Sequence, residues 1–532
     1  MVQSTVAPMP KMRARGSVTP SLQEVESWLS SQSKRPRFVP IYREVMADTE
    51  TPVSAFIKIR RDAPAFLLES VEGGQRVARY SFIGSEPFLD ITLNEGEATV
   101  VSADAIRKER YTDPLTFLSS ELAWYDSARV DNLPLPRFLG GAVGFLSYEA
   151  VRAFEPRVPQ ADGPGRGFPT GRFLLVNGMV VFDNLERTVK VVSHLDLADN
   201  RPIGEAYAEA ELRIEEMIAR LRAPLGEMPA GTEPVGIPLD ERMQSNTPIE
   251  RYHQFVDSAR EYIKAGDIFQ VVLSQRVDVD TPVHPFTIYR ALRAVNPSPY
   301  MFYLDFNDYQ IVGASPELLV RVEDGVVTNH PIAGTRPRGA TPEADAALAE
   351  ELINDEKERA EHVMLVDLGR NDIGRVAVPG SVRVPRFMAI DRYSHVMHIV
   401  THVEGDIRPD MSAFDALRAC FPAGTVSGAP KVRAMEIIAE QEIDRRGPYS
   451  GAVGYIDFSG GMDTCIALRT LVYKDGIASL QAGGGIVADS TPEGEYAESF
   501  HKMGALIRAI ELAERIESDE RSFAAASTES QS

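Results

Sequence analysis

Two segments far apart in a chain of 532 residues each place a pair of glutamates one helical turn apart. Glu358 and Glu361 lie in Asp355-Glu-Lys-Glu-Arg-Ala-Glu361-His, and Glu495 and Glu498 lie in Pro492-Glu-Gly-Glu495-Tyr-Ala-Glu498-Ser. Residues three apart on a helix share a face. If the two helices meet, four carboxylates converge, and each close pair repels by roughly 4 kcal/mol at a partly screened site. A hard divalent cation removes that repulsion. Magnesium keeps several waters and takes one or two protein carboxylates directly, so it suits this arrangement. Taken alone, either pair reads more simply as a solvated helix face. The case for a metal rests on the neighbouring residues.

Ala482-Gly-Gly-Gly-Ile486 follows a predicted strand and leads towards the Glu495 helix. Its three glycines let backbone N–H groups approach an anion, although many glycine runs are only turns. The spacing is neither a Rossmann fingerprint nor a P-loop. Arg469, in Cys465-Ile-Ala-Leu-Arg469-Thr-Leu, reads as a mid-strand residue on one face with Cys465, Ala467 and Leu471. It is either a partly buried cation ready to grip a carboxylate or an edge residue in water. His395, His398 and His402 do not make a zinc set, because on a strand His395 points away from the other two. A single histidine here serves proton transfer or a structural role. Cys420 and Cys465 sit among apolar neighbours, and no nucleophile elbow or cysteine–histidine set equips the chain to hydrolyse an amide.

The elements that must position these groups are strand-rich before about residue 222 and mixed afterwards. Arg76 to Gly84 and Phe88 to Val101 read as neighbouring strands, and Arg172 to Leu195 as a hairpin around Asp183-Asn184. Ile203 to Leu221 is an amphipathic helix, and the Pro-, Gly- and Glu-rich stretch Ala223 to Pro248 is a linker. Thr247-Pro-Ile-Glu250 reads as a capping box opening a helix that stops at Gly266. Strands follow at Ile268 to Val277, Tyr300 to Phe306 and Tyr309 to Ala314, with a hairpin over Asp324-Gly325. One long helix is expected from Glu343 to Leu368, and a meander from Tyr449 to Leu480. Hairpins interspersed with helices indicate an α+β fold.

The net charge of -21 argues against nucleic acid or an anionic membrane as partner, and requires local positive groups or a metal to hold an anionic substrate. Two cysteines give no disulfide framework, which indicates a reducing, cytoplasmic setting. No apolar run has the length of a membrane span. The lead from Met1 to Ser21 and the tail after Ser518 read as disordered. The chain thus divides into a lead over 1–21, a β-rich region over 22–222, a linker over 223–248, a catalytic region over 249–507, and a helix end with a disordered tail over 508–532.

Taken together, the segments resemble the chorismate-binding enzyme family. The matching motifs are Asp267-Ile-Phe-Gln270-Val-Val-Leu-Ser, Gly313-Ala-Ser-Pro-Glu317, Pro331-Ile-Ala333-Gly-Thr335-Arg, the run from Glu361-His to Asn-Asp372, Thr425-Val-Ser-Gly-Ala-Pro-Lys431, Arg469-Thr and Gln481-Ala-Gly-Gly-Gly485. Leu67-Leu-Glu-Ser70 and Arg79-Tyr-Ser-Phe-Ile-Gly84 resemble the N-terminal part of the family's anthranilate-forming branch. The resemblance implies a large two-layer antiparallel β-sandwich flanked by helices, with chorismate as substrate and Mg2+ as cofactor.

Water-adding relatives carry a lysine base where this chain has Gln270, and glutamine cannot deprotonate water. Aminodeoxychorismate synthases have a nucleophilic lysine where Ala333 stands, and alanine forms no covalent adduct. The resemblance therefore implies direct amination beside the ring carboxylate and loss of pyruvate to give anthranilate, a lyase reaction. It places Mg2+ on Glu361 and Glu498, with Glu358 and Glu495 close by, and Gln270 as the group that orients ammonia. Gly483, Gly484, Gly485 and Lys502 add to the grip on the ring carboxylate. Tyr449 and Arg469 hold the enolpyruvyl carboxylate beside Thr425, and Gly334 and Thr335 line the pocket. Glu317 acts as general acid, kept protonated by burial, and His398 assists the elimination.

With no amidase of its own, the chain is expected to work in a hetero-oligomer with a glutamine amidotransferase subunit. Ser70 and Glu69, with Pro299, Tyr300 and Met301 of Asn296-Pro-Ser-Pro-Tyr-Met, resemble the two halves of a tryptophan feedback site. The alternatives are an aminodeoxychorismate synthase and, in a different class, a catalytically inactive tryptophan-sensing protein. The second should have lost acidic or arginine positions that are all in place here.

Overall fold

The computed structural model describes residues 16–529 except 47–48, 62–63, 72–78, 128–135, 162, 227, 233–235 and 394–395. Among these residues, alternating strands build two antiparallel sheets of twelve strands each. The first sheet runs in the order Phe38–Met46, Thr188–Asp196, Gly178–Asp183, Tyr80–Ser85, Ala65–Glu69, Tyr300–Asp305, Gln310–Ser315, Thr470–Lys474, Ile477–Ile486, Gln270–Asp280 and Met243–Ser245, with Gly428–Ala429 also on the Gln270 strand. The second runs Ile332–Pro337, Val396–Asp406, Val326–Asn329, Leu318–Glu323, Met462–Ile466, Ala452–Asp457, Gly141–Leu146, Gly171–Val176, Leu89–Asn94, Glu97–Val101 and Ile106–Arg110, with Arg383–Arg392 also on the Val396 strand.

The inward faces of both sheets contribute to one aromatic-rich core. Phe66, Phe302 and Phe306 meet Phe145, Val453 and Cys465 there, and the Phe145 and Phe306 rings lie 5.7 Å apart edge to face. The outer face of the first sheet is covered by the helices Pro52–Ile59, Ile203–Arg222, Pro285–Val295 and Pro492–Glu529, through Phe56, Ile214, Phe286 and Leu506. A further cluster joins Ile91, Leu175 and Val320 of the second sheet to the helices Pro114–Leu122, Ala413–Cys420 and Lys431–Gln441. The α+β sandwich read from the sequence is therefore the fold. Among the described residues no helix is long and apolar enough to cross a membrane.

The chain changes sheet where the sequence suggested continuity. Tyr80–Ser85 belongs to the first sheet, while Leu89–Asn94 and Glu97–Val101 form a hairpin in the second. They are not neighbours, because Glu86 takes φ +55 and Pro87 follows, which carries the chain across instead of back. Residues 76–78 of the expected first strand lie outside the described residues. Asn177 likewise divides Arg172 to Leu195 between sheets; the hairpin closes between Asp183 and Thr188. The long helix breaks at Asp355, whose carboxylate accepts from the backbone N–H of Lys357 and Glu358 and starts a new helix, Glu356–Gly374. The capping box at Thr247 does not form: Pro248 takes the cap position, and the Thr247 hydroxyl donates to Asn246.

The segment from Ala223 to Pro248 does not separate two layers. Strands from both sides of it share both sheets, and it is fastened down by Arg242 to Glu514 and by Met243–Ser245 on the Gln270 strand. At the chain ends, Val18 is buried and Thr19 bridges Tyr42, so the close of the lead is docked; residues 1–15 lie outside the described residues. The final helix continues to Glu529, past the point where a disordered tail was expected, through an Ala-rich stretch of high helix propensity. Residues 530–532 lie outside the described residues.

Candidate active site

The strand Ile477–Ile486 pairs with Gln270–Asp280 along its length but with Thr470–Lys474 only through Leu480. Gly483, Gly484 and Gly485 thus lie on a stretch with a strand on one side only among the described residues. Side chains from two other elements lie flat on this stretch. A Cβ at Gly484 would stand 2.0 Å from Glu495 Oε2, and one at Gly485 would stand 2.3 Å from Gln270 Nε2. Only glycine leaves that space. Gln270, buried, reaches on to donate to Glu361 Oε1 at 3.1 Å. The glycine stretch is therefore where the two acidic helices approach each other.

Each acid has its own surroundings. Glu358 accepts from Arg336 at 3.3 Å and lies under Gly334, where a Cβ would be 3.1 Å from Glu358 Oε2. Burial raises its pKa, and the Glu361 charge raises it further. Glu498 pairs with Lys502 at 2.8 Å, and Lys502 also donates to the Gly483 carbonyl at 2.9 Å. Glu495 accepts from Ser490 Oγ at 2.6 Å through Oε1, while its Oε2 is buried with no hydrogen-bond partner among the described residues. Burial, and then the Glu498 charge, raise its pKa; Lys502 and Lys357 oppose them. Lys357 belongs to the Glu358 helix, so the fields of the two helices overlap. Among the described residues no group of three or more His, Cys, Asp or Glu forms a ready-made cage. An orphaned carboxylate oxygen in a glycine cradle, with a second acid beside it, fits an ion that takes few protein ligands and completes its shell with water or substrate.

On the other side of the site Glu317 is 7% exposed, and burial pushes its carboxyl up to about 8. The Thr425 hydroxyl donates to it at 3.1 Å, and the Arg469 charge partly offsets the burial. Arg469 is not mid-strand. The chain crosses between sheets at Ala467–Arg469, and Arg469 takes φ +47. Its guanidinium makes no hydrogen bond or ion pair with any described residue, and burial lowers its pKa. It is a half-buried cation whose field reaches an acid held neutral. His398, buried with a lowered pKa, lies with Nδ1 at 2.9 Å from the Gly334 carbonyl and 3.1 Å from Thr335 Oγ1. Tyr449 is buried at the turn before Ala452–Asp457, and burial raises its pKa. His395 lies outside the described residues.

The five residues read as regulatory also come together. Glu69, Ser70, Pro299, Tyr300 and Met301 line a cavity between the sheets with Phe82, Arg321, Tyr455 and Asp463. The Glu69 carboxylate is already engaged: it accepts from Tyr289 at 2.5 Å and from Arg293 at 3.1 Å. Asp463, paired with Arg321 at 2.8 Å and accepting from Tyr300 at 3.1 Å, supplies the cavity's other acid.

Sequence reasoning passed over Ser490, Arg336 and Lys431. Ser490 orients Glu495 from five residues away. Arg336 bridges Glu351, Asp355 and Glu358. Lys431 neutralises buried Asp372 at 2.7 Å. Arg336 and Lys431 stand inside the quoted motifs, which was the available signal; Ser490 had none.

A model of the chorismate binding enzyme family matches residues 63–508. An anthranilate synthase component 1 of Acetivibrio thermocellus is 47% identical over 504 residues, covering 93% of this chain and 99% of its own. One of Synechocystis sp. is 47% identical over 503 residues, covering 91% and 98%. The crystal structure of anthranilate synthase component I from Streptococcus pneumoniae superposes with a TM-score of 0.71 at 38% identity, covering 81% of this chain and 92% of that one.

Proposed function

The chain belongs to the chorismate-binding enzyme family, and we propose that it is a lyase that converts chorismate and ammonia to anthranilate, pyruvate and water. The observation that supports the site assignment is a neutral buried acid, Glu317, within the field of a guanidinium, Arg469, that has no hydrogen-bond or ion-pair partner among the described residues. Arg469 and Tyr449 take the enolpyruvyl carboxylate, and Gly483 to Gly485 with Lys502 take the ring carboxylate. Glu361 and Glu498, with Glu358 and Glu495 beside them, would hold Mg2+, which when bound supplies positive charge at the ring carboxylate.

Gln270 orients ammonia for attack on the ring carbon next to the carboxylate-bearing carbon. A C–N bond forms there as the ring C–O bond breaks, and Glu317 gives its proton to the departing hydroxyl, which leaves as water. The resulting carboxylate is stabilised by the Thr425 hydroxyl and the Arg469 charge. A proton then leaves the amine-bearing ring carbon as the C–O bond to the enolpyruvyl group breaks, which restores aromaticity and releases pyruvate as its enol, and His398, which lies against Gly334 and Thr335, is the residue proposed to assist.

Free ammonia is scarce near neutral pH, and the relatives' names call them component 1 of anthranilate synthase. A glutamine amidotransferase subunit is proposed as the source. Tryptophan is proposed as the occupant of the inter-sheet cavity. In support, Tyr300 pairs with Ser315, two residues before Glu317, and Asp463 and Cys465 lead along the chain to Arg469. An occupant could thus favour a less active arrangement of both groups.

The test is an assay of the chain alone with chorismate, Mg2+ and ammonium salt, following anthranilate fluorescence and pyruvate together. Equal amounts of both are expected. An enolpyruvyl-retaining product whose amine replaces the ring hydroxyl would assign the chain to the aminodeoxychorismate branch instead, and one whose amine stands beside the carboxylate-bearing carbon would mean that the reaction stops at the amino adduct.

A further inference from the structure

We propose that Arg446, held by Glu442, is the positioning residue that fixes Tyr449 and the Thr425 turn against the substrate. The proposal rests on the amination of chorismate proposed above.

Arg446 is 4% exposed, and all five of its N–H groups have acceptors. Nε donates to Glu442 Oε2 at 2.8 Å, and Nη2 donates to Glu442 Oε1 at 2.6 Å and to the Val272 carbonyl at 2.7 Å. Nη1 donates to the Val426 carbonyl at 2.7 Å and to Ser450 Oγ at 3.3 Å. The guanidinium lies 4.7 Å from the Tyr148 ring centroid and 5.6 Å from that of Tyr449. Glu442 completes the network by accepting from the Ser274 backbone N–H at 2.8 Å and from its hydroxyl at 2.9 Å.

The acceptors are one or two residues from the reacting groups. Val426 follows Thr425, which bonds Glu317, and Ser450 follows Tyr449. Val272 follows Gln270 by two, and its register partner is Gly485; Ser274 pairs with Gly483. One planar fork thus ties together three segments that carry site groups, none of which Arg446 touches as a reactant. Burying such an ion pair contributes little net stability compared with apolar packing, but a fully satisfied network fixes geometry. Lysine keeps the charge and loses the fork.

The test compares Arg446→Lys with Arg242→Lys in the ammonium-dependent assay. Arg242 is also buried, paired with Glu514 at 2.8 Å, and bonds the Asp280 carbonyl at the opposite end of the Gln270 strand. In Arg446→Lys the chorismate KM should rise at least tenfold, with the ammonium KM within twofold of wild type. Arg242→Lys should lose comparable stability to urea with both KM values unchanged. An unchanged chorismate KM in folded Arg446→Lys, or an equal rise in Arg242→Lys, overturns the assignment. If Arg446→Lys does not fold, Ser450→Ala decides: a rise of about threefold supports the role, and no change rejects it. Failure of the underlying reading looks different, because the wild-type chain would then form no anthranilate.

Discussion

Replacing Glu317 with glutamine should lower turnover and raise stability at the same time. The carboxyl is buried, and its pKa is pushed from the ordinary 4.5 up to about 8. The folded protein therefore keeps a proton that the unfolded chain releases between those values, so this group's contribution is fully present below pH 4.5 and is lost as pH rises towards 8. The whole gap corresponds to about 5 kcal/mol, of which about 3 kcal/mol is lost by pH 7. Glutamine has the same shape, can still accept from Thr425, and carries no such penalty. The variant should match wild type at pH 4, exceed it by about 3 kcal/mol at pH 7, and lose a factor of roughly 10² to 10⁴ in kcat because the amide cannot supply an acidic proton. Urea unfolding at several pH values and steady-state kinetics read both effects. Wild-type kcat should also fall as pH rises through about 8. Turnover within threefold of wild type, or a stability difference that does not change with pH, would refute the reasoning.

Arg469→Gln removes a half-buried cation with no hydrogen-bond or ion-pair partner among the described residues, so unfolding free energy should hold or rise while the chorismate KM increases at least tenfold; a stability loss above about 2 kcal/mol would mean that Arg469 has a structural partner. If tryptophan inhibits through the inter-sheet cavity as proposed, Ser70→Arg, which places a long cation there, should leave turnover near normal and desensitise the enzyme to tryptophan; inhibition undiminished from wild type would place the site elsewhere. The pure chain should make anthranilate from ammonium salt but not from glutamine, and glutamine-dependent product from the pure chain would remove the need for a partner subunit.

Much of the site was legible because its residues lie in short runs whose local geometry is fixed by spacing. Glu358 with Glu361, Glu495 with Glu498, and Gly483 to Gly485 stand where helix and strand periodicity put them. The acid role proposed for Glu317 depends on its burial, which its apolar neighbours signal. Period-two alternation does not say which of two sheets a strand joins, so the crossings at Glu86, Asn177 and Arg469 were hidden. At Asp355 a side-chain cap overrides a continuous helical pattern. The Arg446 network was invisible for another reason: its key partners, Ser274 and Val272, lie 168 residues from Glu442 and 174 from Arg446. A polar, Pro-rich composition likewise marks Ala223 to Pro248 as a loop without showing that it docks on the final helix.

The most direct measurement is a calorimetric titration of Mg2+ into the wild-type chain, Glu361→Gln and Glu495→Gln. Glu361 and Glu495 come from helices more than a hundred residues apart in sequence and meet at one glycine stretch. One site that either substitution weakens at least tenfold is expected. Binding left intact by either substitution would contradict a shared ion.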